Sequence, residues 1–552
     1  MKEKIEQILN EALRELKGEF TFLPDRNYTV ERPSEDKFGD YTSNVALVAY
    51  ADFAHALRER ADTNITMAKG GKLGINSPRA LAEAIKNVIE TKGTDLLDKI
   101  EIAGPGHINF YLSDRAYSEA LQHILKEGDR YGSSMLGDGE RVNNEFISAN
   151  PTGPLHLGNG RGGFYADTLS RILKKASFEV TNEYYVNDAG EQVMKLGHSV
   201  LKDSEAVYGG EYIEKLAERL GKSDEVRATG EQAAKIILEE MIQPVTKEVM
   251  RVHFDVWTSE KKLIEDGYVD KALVLLQERG KTFESEGALW LRTTEYGDDK
   301  DRVLVKQDGS KTYFASDCGY ILNKMERGFT LLIETWGADH HGYINRFRAA
   351  AEALGFPKEK IHFAIVQLVR LMKDGEEVRM SKRAGNVVGI DELIESVGHD
   401  VARFFFLMYS PDTHMNFDLG LAEERSEKNP VYYVQYAYAR LSSILRKAEE
   451  ESLEPNAEQL ALLSHPKEKL LIRELIAFPE LIERMASEKT VHQLPQYAIR
   501  LADRLHSFYA DCQVIDTEKK EISQARLALV RSTRIVLGES LRLIGVSAPE
   551  KM

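Results

Sequence analysis

Residues 148–163, SANPTGPLHLGNGRGG, force a loop where the flanking sequence asks for regular structure. Before the loop, RVNNEFI ends in a run suited to a short strand. After it, FYADTLSRILKKA sets Phe164, Thr168, Leu169, Ile172, Leu173 and Ala176 at helical spacing. A strand, a bare loop and a helix in that order are what a phosphate seat requires. The helix start offers unpaired N–H groups and partial positive charge, and glycines let an anion approach them. Residues 158–163, GNGRGG, satisfy the dinucleotide pattern G-x-G-x-x-G, but SANPTGPLHL separates them from the strand, where that fingerprint would follow its strand directly. The chain has no G-x-x-x-x-G-K-[ST]. On glycines alone the run is compatible with a structural turn or a nucleotide site. His156, taken singly, is compatible with a satisfied histidine or a catalytic one.

The chain has 552 residues, which by length predicts roughly three to four domains. Cys318 and Cys512 form no C-x-x-C, so neither a disulfide framework nor a zinc site is signalled, and a reducing cytoplasm fits best. MKEKIEQILNEALREL is charged and amphipathic, and no run approaches the ~18 apolar residues of a membrane span. A soluble, cytoplasmic, monomeric protein is expected. The net charge of −16 argues against non-specific nucleic-acid affinity, while Arg500, Arg504, Arg526, Arg531, Arg534 and Arg542 leave room for a local basic face.

Three regions separate by pattern. Residues 1–115 begin with an amphipathic helix (Ile5, Ile8, Leu9, Leu13, Leu16) and close with IEIAGPGHINFYLS, read as a turn and a strand, giving a small α+β module. Over 116–410, EVTNEYYV, TLLIETWG and IHFAIVQLV alternate with helical runs, the habit of a Rossmann-type parallel α/β sheet. Residues about 195–295 are more charged and helical and read as an insertion, ending in the hairpin-like EGALWLRTTEYGDDKDRVLV. From 411 to 552 helical periodicity predicts an all-α bundle. Its Tyr432, Tyr433, Tyr436 and Tyr438 cannot share one helical face, so some pack inward while others are free to stack on bases.

A second chemical signal is EEVRMSKRAGNVVGIDELI, where Lys382 stands between Arg379 and Arg383, ahead of a helix starting near Asp391. Taken together, HLGN near the start of an α/β region and MSKR far downstream resemble the paired nucleotide motifs of class I aminoacyl-tRNA synthetases. EFISANPTGPLHLGNGRG, EYYVNDAGEQ, FDVWTSE, GDDKDRVLV, WGADHHGY, MSKRAGNVV, NPVYYVQYAYAR, LHSFYADC and GVSAPEKM narrow the resemblance to the arginyl-tRNA synthetases, from the first strand of the sheet to the last residue.

The resemblance implies a ligase that joins L-arginine to AMP at the expense of ATP, then passes it to the 3′-terminal adenosine of tRNA(Arg). In-line attack at the α-phosphorus leaves the protein mainly positioning and charge stabilisation to do. It implies catalytic roles for His156, Asn159 and Lys382, and ATP contacts from Gly153, His156, Gly158, Asn159, Met380, Ser381 and Lys382. Asn159 stands where the family's first motif has a second histidine, and Arg379 and Arg383 depart from its K-M-S-K-S. Glu145 and Asn150 are expected at the arginine α-amino end, and Tyr313 and Asp317 at the guanidinium. The guanidinium is planar, with five donors that call for carboxylates. Asp339 and His340 are pocket candidates. The helical C-terminal region is expected to bind the anticodon, with Tyr436, Arg440, Arg500 and Arg504 on tRNA, and the N-terminal module to bind tRNA as well. Magnesium is expected only with ATP, without a dedicated protein site.

Overall fold

The computed structural model describes residues 1–17, 28–50, 75, 77–378 and 388–552. Helix α1 (Lys2–Lys17) buries Ile5, Leu9, Ala12 and Leu16, one stripe at helical spacing. It packs with α2 (Pro78–Lys92), whose start is fixed by a proline in the first turn and by Ser77, whose hydroxyl accepts from the Ala80 N–H. Both lie against an antiparallel sheet ordered β1 (Val30–Glu31), β2 (Tyr41–Ser43), β4 (His107–Leu112), β3 (Leu97–Ala103). The closing segment read as turn then strand is a full hairpin, because the residues before the turn pair with β4 as well.

The central sheet is wholly parallel, ordered β12 (Ile361–Val366), β11 (Leu331–Gly337), β5 (Arg141–Glu145), β6 (Glu179–Val186), β7 (Val256–Ser259). From β5 the chain passes through α3 (Leu157–Lys175) to β6 and β7 on one side, then returns to β11 and β12 on the other. The order therefore reverses beside β5, and the crevice at the carboxyl ends of β5 and β11 is where such sheets bind ligands. Within the interval 195–295, β7 rejoins this sheet as its edge, so that interval is not uninterrupted helix. That interval also holds most of α4 (Glu191–Leu201), three further helices, wide turns over Leu238–Ile242 and Val245–Val249, and α5 (Glu260–Glu265). A meander of β8 (Thr282–Ser285), β9 (Ala288–Leu291) and β10 (Arg302–Val305) follows. It leads into α6 (Tyr313–Glu326), capped by Thr312. IHFAIVQLV is divided, since Gln367 breaks the run and β13 (Val369–Lys373) joins a small sheet with β14 (Glu376–Glu377) and β15 (Met415–Asp418).

Helices α7 (Ile390–Val397) and α8 (His399–Leu407) close the sheet region, and α9 (Pro430–Glu450), α10 (Pro466–Glu488), α11 (Gln493–Asp511) and α12 (Lys520–Ile544) build the helical region. One buried cluster runs from α1 through α3 to α12, and a second lies beneath α6. Each fully buried Leu, Ile or Phe in them is worth about 1.5–3 kcal/mol relative to exposure. The N-terminal module docks on α10 through polar groups, with Arg32 on Glu480 at 3.3 Å and Arg473 on Asp40 at 2.8 Å. Among the described residues no helix is long and apolar enough to cross a membrane.

Candidate active site

Between β5 and α3 the backbone is held in uncommon geometry. Ile147 and Ser148 both have positive φ, 64° and 37°, which for a β-branched residue is costly unless its surroundings enforce it. They are enforced: Ser148 Oγ accepts from the Tyr185 N–H at 3.0 Å, and the Tyr184 hydroxyl donates to the Ala149 carbonyl at 2.8 Å. The loop expected through residue 163 ends sooner, because α3 already begins at Leu157, and two of its glycines serve packing. A Cβ on Gly163 would stand 2.8 Å from Ile147 Cδ1 and 2.7 Å from Met250 Cε, and one on Gly160 would stand 2.3 Å from Ile390 Cδ1.

His156 is the N-cap of α3. Its Nδ1 accepts from the N–H groups of Gly158 and Asn159 at 3.1 and 3.3 Å, while Asn159 Oδ1 accepts from the His156 N–H at 3.0 Å. This reciprocal capping box makes Nδ1 an acceptor, so in neutral His156 the proton sits on Nε2. Burial lowers the imidazole below its ordinary value, and Asp339 opposes that only in part. Part of the ring still meets solvent. The site thus presents a neutral N–H donor at the start of a helix. Gly158 belongs to the same turn, and Gly153 lies in the preceding loop against the Tyr212 hydroxyl.

The described residues that follow the second motif meet the first loop here. Ile390 N–H donates to the Leu155 carbonyl at 3.1 Å, and Gly389 bridges to His156. The chain that follows MSKR is thereby pinned against the first loop. Met380, Ser381 and Lys382 themselves lie outside the described residues.

Beyond the loop, Glu334, Glu145 and Glu183 stand abreast on β11, β5 and β6. Helix α6 answers them with one polar stripe, Tyr313, Asp317, Tyr320 and Lys324, spaced to share a face. Lys324, fully buried, donates to Glu145 and Glu334 at 2.7 Å each. Tyr320 reaches Glu183 at 2.9 Å, and Arg327 forks onto it at 2.9 and 2.6 Å. Burial, opposed by Lys324 and assisted by Glu145, pushes Glu334 up to about 8. Burial also works to raise Glu183, but Arg327 and Lys324 outweigh it and hold the carboxyl below its usual range.

Two further carboxyls have no such cation. Asp317 accepts from the Tyr343 hydroxyl, and burial with Glu145 carries it up to about 7, against the pull of Tyr343, Arg346 and Lys324. Glu260, at the start of α5, is pushed to about 7 by burial and then by Asp317 and Asp188. Neither makes an ion pair among the described residues. Asn187, with its amide turned so that nitrogen donates, reaches Glu260 at 2.8 Å. Tyr313 stands at the mouth, 53% exposed, its hydroxyl accepting from the Glu191 N–H at 3.0 Å. Gly190 permits that approach, since with φ +79° a Cβ there would lie 2.8 Å from the Tyr313 hydroxyl.

The expected residues Glu145, Tyr313 and Asp317 are thus brought to one wall, with Asn150 exposed on the loop above β5. Asp339 and His340 are exposed on the turn after β11, 3.4 Å from each other, and Asp339 acts on His156. Glu260, Lys324 and Tyr343 were not singled out from sequence. The α6 stripe was legible, since Lys324 falls in step with Tyr313 and Asp317, but a search for apolar periodicity passes over a polar face. Among the described residues no group of three or more His, Cys, Asp or Glu side chains could hold a metal ion.

In the helical region, the Arg440 guanidinium lies 4.2 Å from the Tyr509 ring centroid and donates to the Tyr436 hydroxyl at 3.1 Å. Tyr432 and Tyr436 are stacked at 6.5 Å and 6°. Arg500 and Arg504 already have carboxylate partners, Glu474 at 3.4 Å and Asp36 at 2.9 Å.

Three family models match the chain: "Arginyl tRNA synthetase N terminal domain" over residues 3–112, "tRNA synthetases class I (R), catalytic domain" over 211–404, and "DALR anticodon binding domain" over 434–552. The chain is 43% identical to the arginine–tRNA ligase of Bacillus subtilis, covering 95% of this chain and 94% of that one. It is 42% identical to that of Geobacillus kaustophilus, covering 100% and 99%. Its fold matches the arginyl-tRNA synthetase of Thermus thermophilus with a TM-score of 0.75 at 23% identity, each chain covered in full. That of Plasmodium falciparum also matches at 0.75, with 16% identity over 100% and 99% of the two chains.

Proposed function

The chain belongs to the arginyl-tRNA synthetase family, the class I ligases that activate arginine with ATP and transfer it to tRNA, and from that premise we propose how its residues divide the work. The observation that carries the division is the pair of carboxyls, buried Glu260 and half-buried Asp317, that no protein cation answers in an ion pair among the described residues. A cationic side chain of the substrate supplies what they need, and the flat ring of Tyr313 beside them suits a guanidinium. Glu145 keeps an acceptor for the α-amino group while Lys324 holds its other side, and Asn150 reaches the same end from the loop.

At the other end of the substrate, the His156 Nε2–H donates to α-phosphate oxygens as charge develops on them. It does so as a neutral donor, so no proton transfer is asked of it. Asn159 holds His156 through Oδ1 and leaves its amide nitrogen for phosphate. Gly153 and Gly158 give the nucleotide a bare backbone, and Asp339 and His340 line the adenosine side. Met380 and Ser381 flank the triphosphate, and Lys382 balances the departing pyrophosphate as a point charge. Magnesium accompanies ATP and takes most of its ligands from phosphate.

We assign residues 1–115 to tRNA binding, 116–410 to catalysis and 411–552 to the anticodon. Tyr436 and Arg440 form a stacking platform for bases, and Arg500 and Arg504 exchange their carboxylates for phosphates. The protein works as a cytoplasmic monomer on tRNA(Arg). The test is tRNA charging by the full-length protein with ATP and a panel of amino acids. Arginine alone should be esterified, and charging of any other amino acid at a comparable rate would overturn the reading.

A further inference from the structure

The middle of α3 is bound to the last turn of α12. Arg403, on α8 and fully buried, sends Nε to the Ile544 carbonyl and Nη2 to both Asp167 and Thr168. Thr168 Oγ1 donates to the same carbonyl at 3.4 Å, and Arg171 Nη1 to the Arg542 carbonyl at 3.2 Å. Both carbonyls lie at the negative pole of the helix dipole; Arg542's also accepts from the Gly545 N–H at 3.1 Å, while Ile544's takes its donors from Arg403 and Thr168, so guanidiniums from elsewhere cap α12. Gly545 then turns away with φ +84°, and a Cβ there would lie 2.5 Å from Arg403 Cζ, so glycine is what lets the guanidinium in. Beyond it, the Ser547 N–H donates to Asp400 at 3.0 Å, and Gln435 of α9 donates to Asp400 at 2.9 Å. Burial works to raise Asp167, but Arg403 and Arg171 outweigh it and keep the carboxylate ionised.

A contact whose only use is stability would not need this chemistry. Buried ion pairs are often no better than well-packed apolar side chains, and Arg403 Nη1 is left without a hydrogen-bond partner, which carries a cost of its own. What the planar fork supplies is a fixed direction. Helix α3 runs unbroken from this junction to its cap at His156, roughly three turns away, so a tilt at Asp167 is carried to the imidazole.

We propose that Arg403 is a positioning residue for arginine activation: by capping α12 and gripping Asp167 it fixes α3, and with it the His156 imidazole, to the last turn of the helical region. This rests on the role given to His156 above. The experiment uses full-length Arg403→Lys and Thr168→Val proteins, with ATP–pyrophosphate exchange and equilibrium binding of arginine, ATP and tRNA. Lysine keeps the charge beside Asp167 but cannot fork, so kcat should fall about 10- to 100-fold while KM values and tRNA affinity stay within about twofold. Thr168→Val, which leaves the ion pair intact, should move kcat in the same direction by less, with an unchanged melting temperature. Unchanged kcat in the folded variants, or a loss tracking arginine or tRNA affinity in proportion, would overturn the proposal. Should Arg403→Lys fail to fold, Thr168→Val decides alone. Absence of arginine-dependent exchange in the unaltered protein, both with and without tRNA(Arg), would overturn the activity reading instead.

Discussion

His156 and Asn159 hold each other: the imidazole accepts from the Asn159 N–H, and the Asn159 amide oxygen accepts from the His156 N–H. The histidine is therefore structural at Nδ1 and available at Nε2.

His156→Ala should lose both roles. Loss of the cap costs about 0.5–2 kcal/mol of stability, and loss of one preorganised donor slows adenylate formation by about 100- to 1,000-fold. His156→Asn keeps a capping oxygen and should restore the melting temperature without restoring the rate. Single-turnover kinetics beside thermal unfolding separate the two, and a rate recovered by asparagine would remove Nε2 from the chemistry.

Asp317→Asn should weaken arginine by about 3–5 kcal/mol, the cost of breaking a buried charge pair from one side, and ATP far less. Calorimetric titration with each substrate checks this. Equal losses would make Asp317 a support for Tyr343 only.

Asp317 and Glu260 are both raised to about 7, so the folded chain holds more protons than the unfolded one between about pH 4 and 7. Their contribution to the stability of the free protein declines as pH rises through that window. Arginine affinity should rise across the same window, because the guanidinium selects the ionised carboxyls. Affinity measured from pH 6 to 8 should climb in the native protein and climb less steeply in Asp317→Asn, where Glu260 still titrates.

Gly190→Ala forces a side chain into left-handed backbone and against the Tyr313 hydroxyl. About 1–3 kcal/mol of strain is expected, with KM for arginine raised more than KM for ATP. Steady-state kinetics with each substrate varied in turn would reveal it.

Lys324→Met leaves Glu145 and Glu334 facing each other without their shared cation. A loss of about 3–5 kcal/mol is expected. Lys324 is what holds Glu334 down, so without it Glu334 keeps its proton to higher pH, and denaturant melts of both proteins will test the loss.

Much of this was legible from residues alone. Helix α3 announced itself through Phe164, Leu169, Ile172 and Leu173, and the parallel sheet through EVTNEYYV and TLLIETWG. β7 was not, because VWTS is short and lies amid charged helical sequence, and its pairing with β6 is a long-range choice. Glycines at 160 and 163 looked like room for phosphate, yet Ile390 and Met250 fill the space, and neither could be placed by local pattern. The Lys324 stripe was spaced correctly but was invisible to a search for apolar faces. That His156 would cap its own helix could have been read from Asn159 three residues on.

The docking of Arg32 and Tyr41 onto Glu480 joins residues separated by 448 and 439 positions. On a ribosome adding about 5–20 residues per second, the N-terminal module waits roughly 20–90 s for that partner to be made. Throughout that interval an arginine and a tyrosine shaped for burial face solvent or whatever else is near. Nascent chains are thus exposed to early mispairing at this face, and codon choice between the two segments sets how long the exposure lasts.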